Sequence, residues 1–264
     1  MKVSEYIDRL ASRGRHHFTE EEALKATGLS RVAFRSAVRR LKKKNRIAVP
    51  LRGFYSIIPL ENRSLGSLPP EEFIPYLMEY LGQSYYVSLL SAAQFYGATH
   101  QQPQIFHVIV AEARRDLTVG LVRVSFVKKR EMKKSSTRQF NTPRGYVSVA
   151  TPEVLVLDLL TYPQKSGGMY LIFDVLNELK EQLDLKVFKS EIKKEKNIPI
   201  IQRLGYLFEK LGFSSFADAC EARLKKENYV RKVVLDIREK KKEGPLDMRW
   251  NLIINQELES DFDT

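Results

Sequence analysis

Basic side chains recur at helical spacing in the N-terminal quarter of the chain. Arg31, Arg35, Arg39 and Lys42 are separated by four, four and three residues, a spacing that brings side chains to one face of an α-helix. The guanidinium of arginine can donate two hydrogen bonds to O6 and N7 of guanine, and any basic side chain can neutralise a phosphate. The pattern predicts a helix face that binds nucleic acid. An ordinary solvated basic face has the same pattern and is the alternative.

An apolar stripe on the same segment indicates how this face is held. Phe34, Ala37, Val38 and Leu41 follow each other at positions i, i+3, i+4 and i+7, which is typical of a helix packed on a core. We predict a helix from about residue 31 to 43, with the basic side chains turned away from that core.

The sequence before this helix predicts two further helices, one near the N-terminus and one over about 19–27. Thr19 and Glu22 have the spacing of a capping box, in which each side chain bonds the backbone of the other residue. Gly28 suits a turn that needs a positive φ, and Ser30 is a favourable N-cap for the basic helix. Two helices separated by a short turn are typical of a helix-turn-helix.

A predicted β-hairpin follows the basic helix. Two β-prone runs, Ile47–Val49 and Phe54–Ile58, are joined by a turn over 50–53 that carries Arg52. Helix, helix, turn, helix and hairpin are the order of a winged helix-turn-helix, which we assign to residues 1–60. In this motif the third helix enters the major groove of DNA, N-terminal part first.

The predicted DNA-binding residues lie on the basic helix, at its N-cap, just after it, and at the tip of the hairpin: Ser30, Arg31, Arg35, Ser36, Arg39, Arg40, Lys42, Lys43, Arg46 and Arg52. We expect Arg31, Arg35, Ser36 and Arg39 near base edges or their flanking phosphates. We assign Arg40, Lys42, Lys43 and Arg46 to the DNA backbone. Arg52 would reach a phosphate or the minor groove from the wing.

The positive charge of the chain is concentrated in this region. The chain of 264 residues has a net charge of +12 and a pI of about 9.6. Residues 1–60 contain 14 Lys and Arg and 5 Asp and Glu, so they carry most of the excess. No acidic residue lies between Ala23 and Leu60, so ion pairs within the basic helix cannot neutralise it. This distribution favours a polyanionic partner.

The rest of the chain predicts a larger α+β domain. Residues 61–69 belong to a stretch rich in Pro, Gly, Ser and Asn and are predicted to be a linker. Residues 70–264 mix helical patterns with a β-rich stretch over about 105–149. Residues 84–97 are predicted to form a helix whose aromatic side chains join the core rather than a stacking surface. Thr151, followed by Pro and Glu, predicts the start of a buried helix.

Residues that carry nucleophilic or metal chemistry are few and scattered. His16, His17, His100, His107 and Cys220 do not show metal-ligand spacing, and no phosphate-binding or nucleophile motif occurs. We therefore expect no catalytic site, no metal and no cofactor. A single cysteine permits no disulfide within the chain. With no signal peptide pattern and no apolar run of about 18 residues, the expected location is the cytoplasm.

Two other functions remain open from the residues alone. The acids and lysines near Asp174, Glu178 and Lys180, and near Glu191 and Lys193, could serve a metal-dependent nuclease that the winged helix targets to DNA. A solvated helix face explains these residues equally well. The second alternative is a regulator whose larger domain senses a small ligand, although no ligand motif supports it.

The larger domain contains four further segments, in this order: YYVSLLSAAQFYGATHQQPQIFHVIV, VSVATPEVLVLDLL, IQRLGYLFEKLG and RWNLIINQELESD. In their order and spacing they resemble the AbiEi family, the antitoxin component of type IV abortive-infection systems. Together with the N-terminal winged module, they extend the resemblance over most of residues 1–260.

The resemblance implies a fold and a function that composition cannot show. Members of this family bind inverted repeats upstream of their own operon through the N-terminal module and repress it. The larger domain assists repression and counters a toxin that resembles a nucleotidyltransferase, without forming a stable complex with it. Only the basic positions on the third helix and the wing carry over to this chain. No motif defines the antitoxin residues, so none is assigned.

Overall fold

The structure is a computed structural model that describes residues 1–99, 103–132 and 135–258. The chain divides into two compact units. The first comprises Met1–Val87, Gln104–Lys134 and Arg138–Val149, and the second comprises Ser88–Pro103, Ser135–Thr137 and Ala150–Thr264. This division does not test whether residues 1–60 fold alone, so the boundaries at 60 and 70 remain a prediction.

The N-terminal part of the first unit is a winged helix-turn-helix, as predicted. Its elements are α1 Val3–Ala11, β1 His17–Thr19, α2 Glu20–Thr27, α3 Arg31–Lys43, β2 Ile47–Leu51 and β3 Phe54–Ile57. The strands form an antiparallel sheet in the order β1-β3-β2. Strand β1 was not predicted, because three residues are too few to show alternation.

Local capping sets the bounds of α2 and α3. Thr19 Oγ1 accepts the N–H of Glu22 at 3.2 Å, and the Glu22 carboxylate accepts the N–H of Thr19 at 2.8 Å. Gly28 ends α2 at a φ of +69°, a conformation that glycine adopts without steric penalty. Ser30 caps α3 by accepting the N–H of Ala33 at 3.3 Å.

Aromatic rings fill the core of the winged helix. Tyr55 of β3 stacks on Phe18 with ring centroids 5.1 Å apart and meets the edge of Phe34 at 5.5 Å. Tyr6 of α1 meets Phe18 edge to face at 5.5 Å. These buried contacts fix α3 against the sheet from its apolar side, so its other side is left to solvent.

A six-stranded mixed sheet completes the first unit. Helix α4 (Pro70–Tyr80) precedes it, and its strands are β4 Tyr85–Val87, β5 Phe106–Val110, β6 Leu117–Val119, β7 Val122–Lys128, β8 Thr137–Thr142 and β9 Gly145–Ala150. Their order is β6-β7-β5-β4-β9-β8, with parallel pairs β5–β7 and β4–β9. The predicted linker packs here, since Leu68 is buried and the N–H of Leu121 donates to the carbonyl of Leu65 at 2.8 Å.

The predicted helix over 84–97 is wrong in its first part. Residues Tyr85–Val87 form β4, and only Leu89–Phe95 are helical, as α5. Leu89, the first residue of α5, has a φ of +55°, so a single helix cannot run through this position from residue 84. The aromatic prediction is confirmed for Tyr86 and Tyr96, which are buried.

The second unit is mainly helical. After α5 it contains α6 Pro152–Thr161, α7 Met169–Glu178, α8 Leu185–Lys194, α9 Ile198–Lys210 and α10 Ser214–Leu224. Three short strands, β10 Val233–Val234, β11 Leu246–Asp247 and β12 Leu252–Ile253, pair in the order β10-β12-β11. Helix α6 is buried along most of its length, as predicted. Trp250, just before β12, is fully buried against α9.

Candidate nucleic-acid interface

The predicted DNA-binding side chains are almost all on the surface. Phe34 and Leu41 of α3 are buried, while Ala37 and Val38 are partly buried against the core. Of the predicted residues only Arg46 is half-buried, and the others are exposed. Because the apolar stripe of α3 packs on the core, the predicted basic side chains are presented to solvent.

The structure brings the basic residues into two groups rather than one continuous row. Arg31 and Arg35 line a cleft of about 500 Å³ together with Arg52 of the wing. Arg40, Lys43 and Arg46 line a groove of about 1050 Å³ between α3 and the N-terminus of α1.

Between the two groups, α3 turns its outermost side to solvent. At about 100° per residue, Ser36 and Arg39 lie on the side of α3 opposite Phe34, and both are exposed. Lys42 lines a third pocket, of about 340 Å³, beside β2. The outer side of α3 and the cleft with the wing form the candidate interface.

The wing turn is held close to α4. Gly53 has a φ of +87°, and a Cβ placed on it would lie 2.7 Å from the hydroxyl oxygen of Tyr80. The carbonyl of Gly53 accepts the N–H of Glu20 at 2.9 Å. These contacts fix the position of Arg52, the neighbouring residue, relative to the start of α2.

Acidic residues from other elements approach the basic surface. Glu20 Oε1 lies 3.8 Å from Arg35 Nη2, and Asp8 of α1 forms an ion pair with Arg46. Helical spacing predicted neither pair, because both acids lie outside the basic segment. The hydroxyl of Tyr55 donates to Glu20 Oε2 at 3.3 Å. Burial, with Glu20 adding a smaller effect, raises the pKa of Tyr55 to about 12, so this hydroxyl remains a donor at neutral pH.

One exposed apolar residue also lies on the candidate interface. Val32, in the first turn of α3, is 77% exposed. An apolar side chain at the entry of a recognition helix can contact the methyl group of thymine. No sequence signal identified Val32, because it lies outside the apolar stripe and carries no charge.

The other candidate chemistry does not converge. Within the described residues, no group of three or more His, Cys, Asp or Glu is arranged to hold a metal ion. Cys220 is buried, and burial raises the pKa of its thiol. Burial, followed by the nearby charge of Arg15, lowers the pKa of His17 to about 4. His100 lies outside the described residues.

Among the acids considered for a nuclease, Glu191 has ordinary structural partners. Glu191 is buried, and its Oε1 accepts hydrogen bonds from Lys194 Nζ at 2.7 Å and from Ser136 Oγ at 2.8 Å.

In the part of the chain that the structure describes, no helix is long and apolar enough to cross a membrane.

Comparisons with known proteins support the antitoxin resemblance and the fold. Residues 86–210 match the family model of the AbiEi antitoxin C-terminal domain. No curated protein matches the sequence. The crystal structure of the RV2827C protein from Mycobacterium tuberculosis is similar, with a TM-score of 0.69 and 18% identity, over 95% of this chain and 90% of that chain. At this identity the likeness concerns the α+β fold alone.

The family match covers a coherent part of the molecule. It begins within β4, ends with α9, and includes all of strands β5 to β9 and helices α5 to α8. The winged helix lies before the matched segment, so its role is a separate question. Residues 86–210 of this chain are therefore similar to the C-terminal domain of AbiEi antitoxins.

Proposed function

We propose that this protein is a DNA-binding transcriptional repressor of its own operon and the antitoxin of a type IV toxin–antitoxin system. The observation that carries the proposal is an exposed basic helix, beside a wing, in a chain whose residues 86–210 match an antitoxin family model. Its expected partners are double-stranded DNA with inverted repeats in its own promoter and a nucleotidyltransferase-like toxin. We expect a cytoplasmic protein, no stable complex with the toxin, and no catalytic role.

The charge and shape of α3 support DNA as the partner. The helix has six basic residues among 13 and no acid. Its apolar side is occupied by the core, so the basic side is available to a ligand. The major groove of DNA admits an α-helix, and basic residues along the groove displace counterions from the phosphates. Ser30, whose Oγ accepts the N–H of Ala33, can still donate its own hydroxyl hydrogen to a phosphate.

Binding of the full-length protein to the DNA that precedes its gene tests the first half of the proposal. We expect R35A/R39A to weaken binding and to reduce the slope of log affinity against log salt by about 0.9 for each phosphate that the variant no longer neutralises. The matched control is K189A/K193A, which removes two exposed basic residues at the same spacing from α8. If both double variants change affinity and slope equally, α3 has no special role in DNA binding.

A growth assay tests the antitoxin half. The neighbouring gene is expressed from an inducible promoter, alone or with the full-length protein supplied from a second plasmid. We expect the neighbour to arrest growth and this protein to restore it. R35A/R39A should also restore growth, because the inducible promoter removes any need for repression. A neighbour that remains toxic in the presence of the wild-type protein would contradict the antitoxin role and leave the DNA-binding proposal intact.

A further inference from the structure

A carboxylate lies inside the cleft that α3 forms with the wing. The side chain of Glu20 is 17% exposed, whereas that of its ion-pair partner Arg35 is 57% exposed. Glu21 lines the same cleft. Negative charge on a surface that approaches phosphates weakens their attraction, so a carboxylate here works against non-specific DNA binding.

The position of Glu20 is fixed from the core. Its backbone N–H donates to the carbonyl of Gly53 in the wing at 2.9 Å. Its Oε2 accepts the hydroxyl of Tyr55 at 3.3 Å, and Tyr55 is itself buried between Phe18 and Phe34. A rigid aromatic residue therefore holds one oxygen of the carboxylate, and the other oxygen faces the recognition helix.

That second oxygen acts on Arg35. Oε1 lies 3.8 Å from Nη2 of the guanidinium, which is beyond hydrogen-bond distance but within ion-pair distance. A guanidinium has five N–H donors. Contact at one end leaves enough donors for a paired hydrogen bond to a base edge.

Helix stabilisation alone does not account for this arrangement. Acidic residues in the first turn of a helix interact favourably with its dipole, and α2 has three of them, Glu20, Glu21 and Glu22. Glu22 completes the capping box and pairs with Arg15 at 2.6 Å. Glu21 is exposed and has no ion-pair partner among the described residues. Of the three, Glu20 is the one that joins Tyr55 to Arg35.

We propose that Glu20 is a positioning residue, which orients Arg35 so that its guanidinium reads a guanine in one position of the DNA half-site. The inference rests on the proposed DNA binding and deepens it. An arginine that is free to rotate binds any nearby phosphate, whereas one held by a fixed carboxylate favours a single direction. Glu20 thus lowers general affinity for DNA and raises discrimination between sequences.

The test compares E20Q with E21Q in the full-length protein, because both remove one negative charge from the same cleft. The probes are the duplex that precedes the gene and a scrambled duplex of the same composition. We expect both variants to bind the scrambled duplex more tightly. Only E20Q should reduce the ratio of the two affinities, by about fivefold or more, since a well-placed bidentate arginine contributes about 1–3 kcal/mol of base discrimination.

Two further measurements separate positioning from a general structural effect. Single base-pair changes in the specific duplex should show that E20Q relaxes the preference at one position, the same position that R35A relaxes. In an R35A background, E20Q should reduce the ratio no further. Y55F, which keeps the aromatic ring and removes the hydroxyl that holds Glu20, should change the ratio in the same direction and covers the case that E20Q is poorly folded.

The possible failures are distinguishable. If R35A lowers the affinity ratio but E20Q and Y55F do not, Glu20 does not position Arg35, and the proposed DNA binding stands. If E20Q and E21Q lower the ratio equally, the effect is general electrostatics and the inference is wrong. If the wild-type protein does not distinguish the two duplexes, sequence-specific binding fails first, and this inference fails with it.

Discussion

Replacing Gly205 by alanine tests how tightly α9 is packed in the second unit. A Cβ at this position would lie 2.1 Å from Cζ3, 2.4 Å from Cη2 and 2.5 Å from Cε3 of Trp250, whereas carbon atoms in contact are about 3.5–4.0 Å apart. The ring cannot easily retreat. It is fully buried, and its Nε1–H donates to Glu209 Oε2 at 2.7 Å.

Two opposing effects determine the size of the change. Alanine in a helix interior is favoured over glycine by about 1 kcal/mol. Forcing extra volume into a packed core costs about 1–3 kcal/mol, and the overlap of Gly205 Cβ with three ring atoms places G205A at the upper end. We therefore expect G205A to lower the free energy of unfolding by about 2 kcal/mol, and the melting temperature by about 4–8 °C for a protein of this size.

Trp250 supplies the assay, because it is the sole tryptophan of the chain. Its emission during urea unfolding reports on the second unit, and far-ultraviolet circular dichroism provides an independent signal. The sharper test is W250L, which replaces the indole ring with a smaller side chain and is followed by circular dichroism. In that background G205A should become stabilising, because the overlap is gone and the helix propensity remains. The reasoning is refuted if G205A is neutral or stabilising in the wild-type background.

Three other predictions concern the first unit. Arg144 is 13% exposed and pairs with Glu72, which is 6% exposed. E72Q should destabilise the protein by about 3 kcal/mol because it removes the buried partner of a buried charge. E61Q removes the largely exposed second partner of the same arginine and should cost under about 1 kcal/mol. V32A should leave the unfolding free energy within about 0.5 kcal/mol of wild type, yet weaken binding to the specific duplex. Replacing the contacted thymine by uracil, which lacks the methyl group, should weaken binding of the wild-type protein equally and abolish the difference in affinity between wild type and V32A. The pKa of His17 is lowered to about 4, so as the pH falls the unfolded state is protonated at this residue before the folded state. The stabilisation from neutral His17 should therefore be complete above about pH 6.5 and decline as the pH falls towards 4. H17F should flatten this part of a curve of unfolding free energy against pH.

The elements that sequence predicted best are those with local signals at both ends. The predicted range of α3 agrees with the observed Arg31–Lys43 because Ser30 supplies an N-cap and the apolar stripe sets the face. Helix α2 is bounded by the capping box at Thr19 and by Gly28. These interactions involve residues within four positions of each other, so they can be seen without knowing the fold.

The elements that were mispredicted depend on distant partners. Residues Tyr85–Val87 become a strand because they lie between β5 and β9, which pair with them from about 20 and 60 residues further along the chain. Tyr85, Tyr86 and Val87 are β-prone residue types, but three residues are too few to show strand alternation, and the positive φ at Leu89 is visible only in the structure. Strand β11 near the C-terminus is similarly defined by its pairing with β12 rather than by a sequence pattern.

The candidate interface shows the same division between local and distant information. Helical spacing was sufficient to place the basic side chains on the surface of α3, but it could not reveal that Glu20 and Asp8 reach Arg35 and Arg46 from α2 and α1. The number of basic residues therefore overstates the charge that is free to meet phosphates. Arg46 is half-buried and already paired, so its first role is to join the turn that follows α3 to α1. Arg35 keeps most of its surface exposed while one end faces a carboxylate, and this combination favours selective recognition over simple attraction.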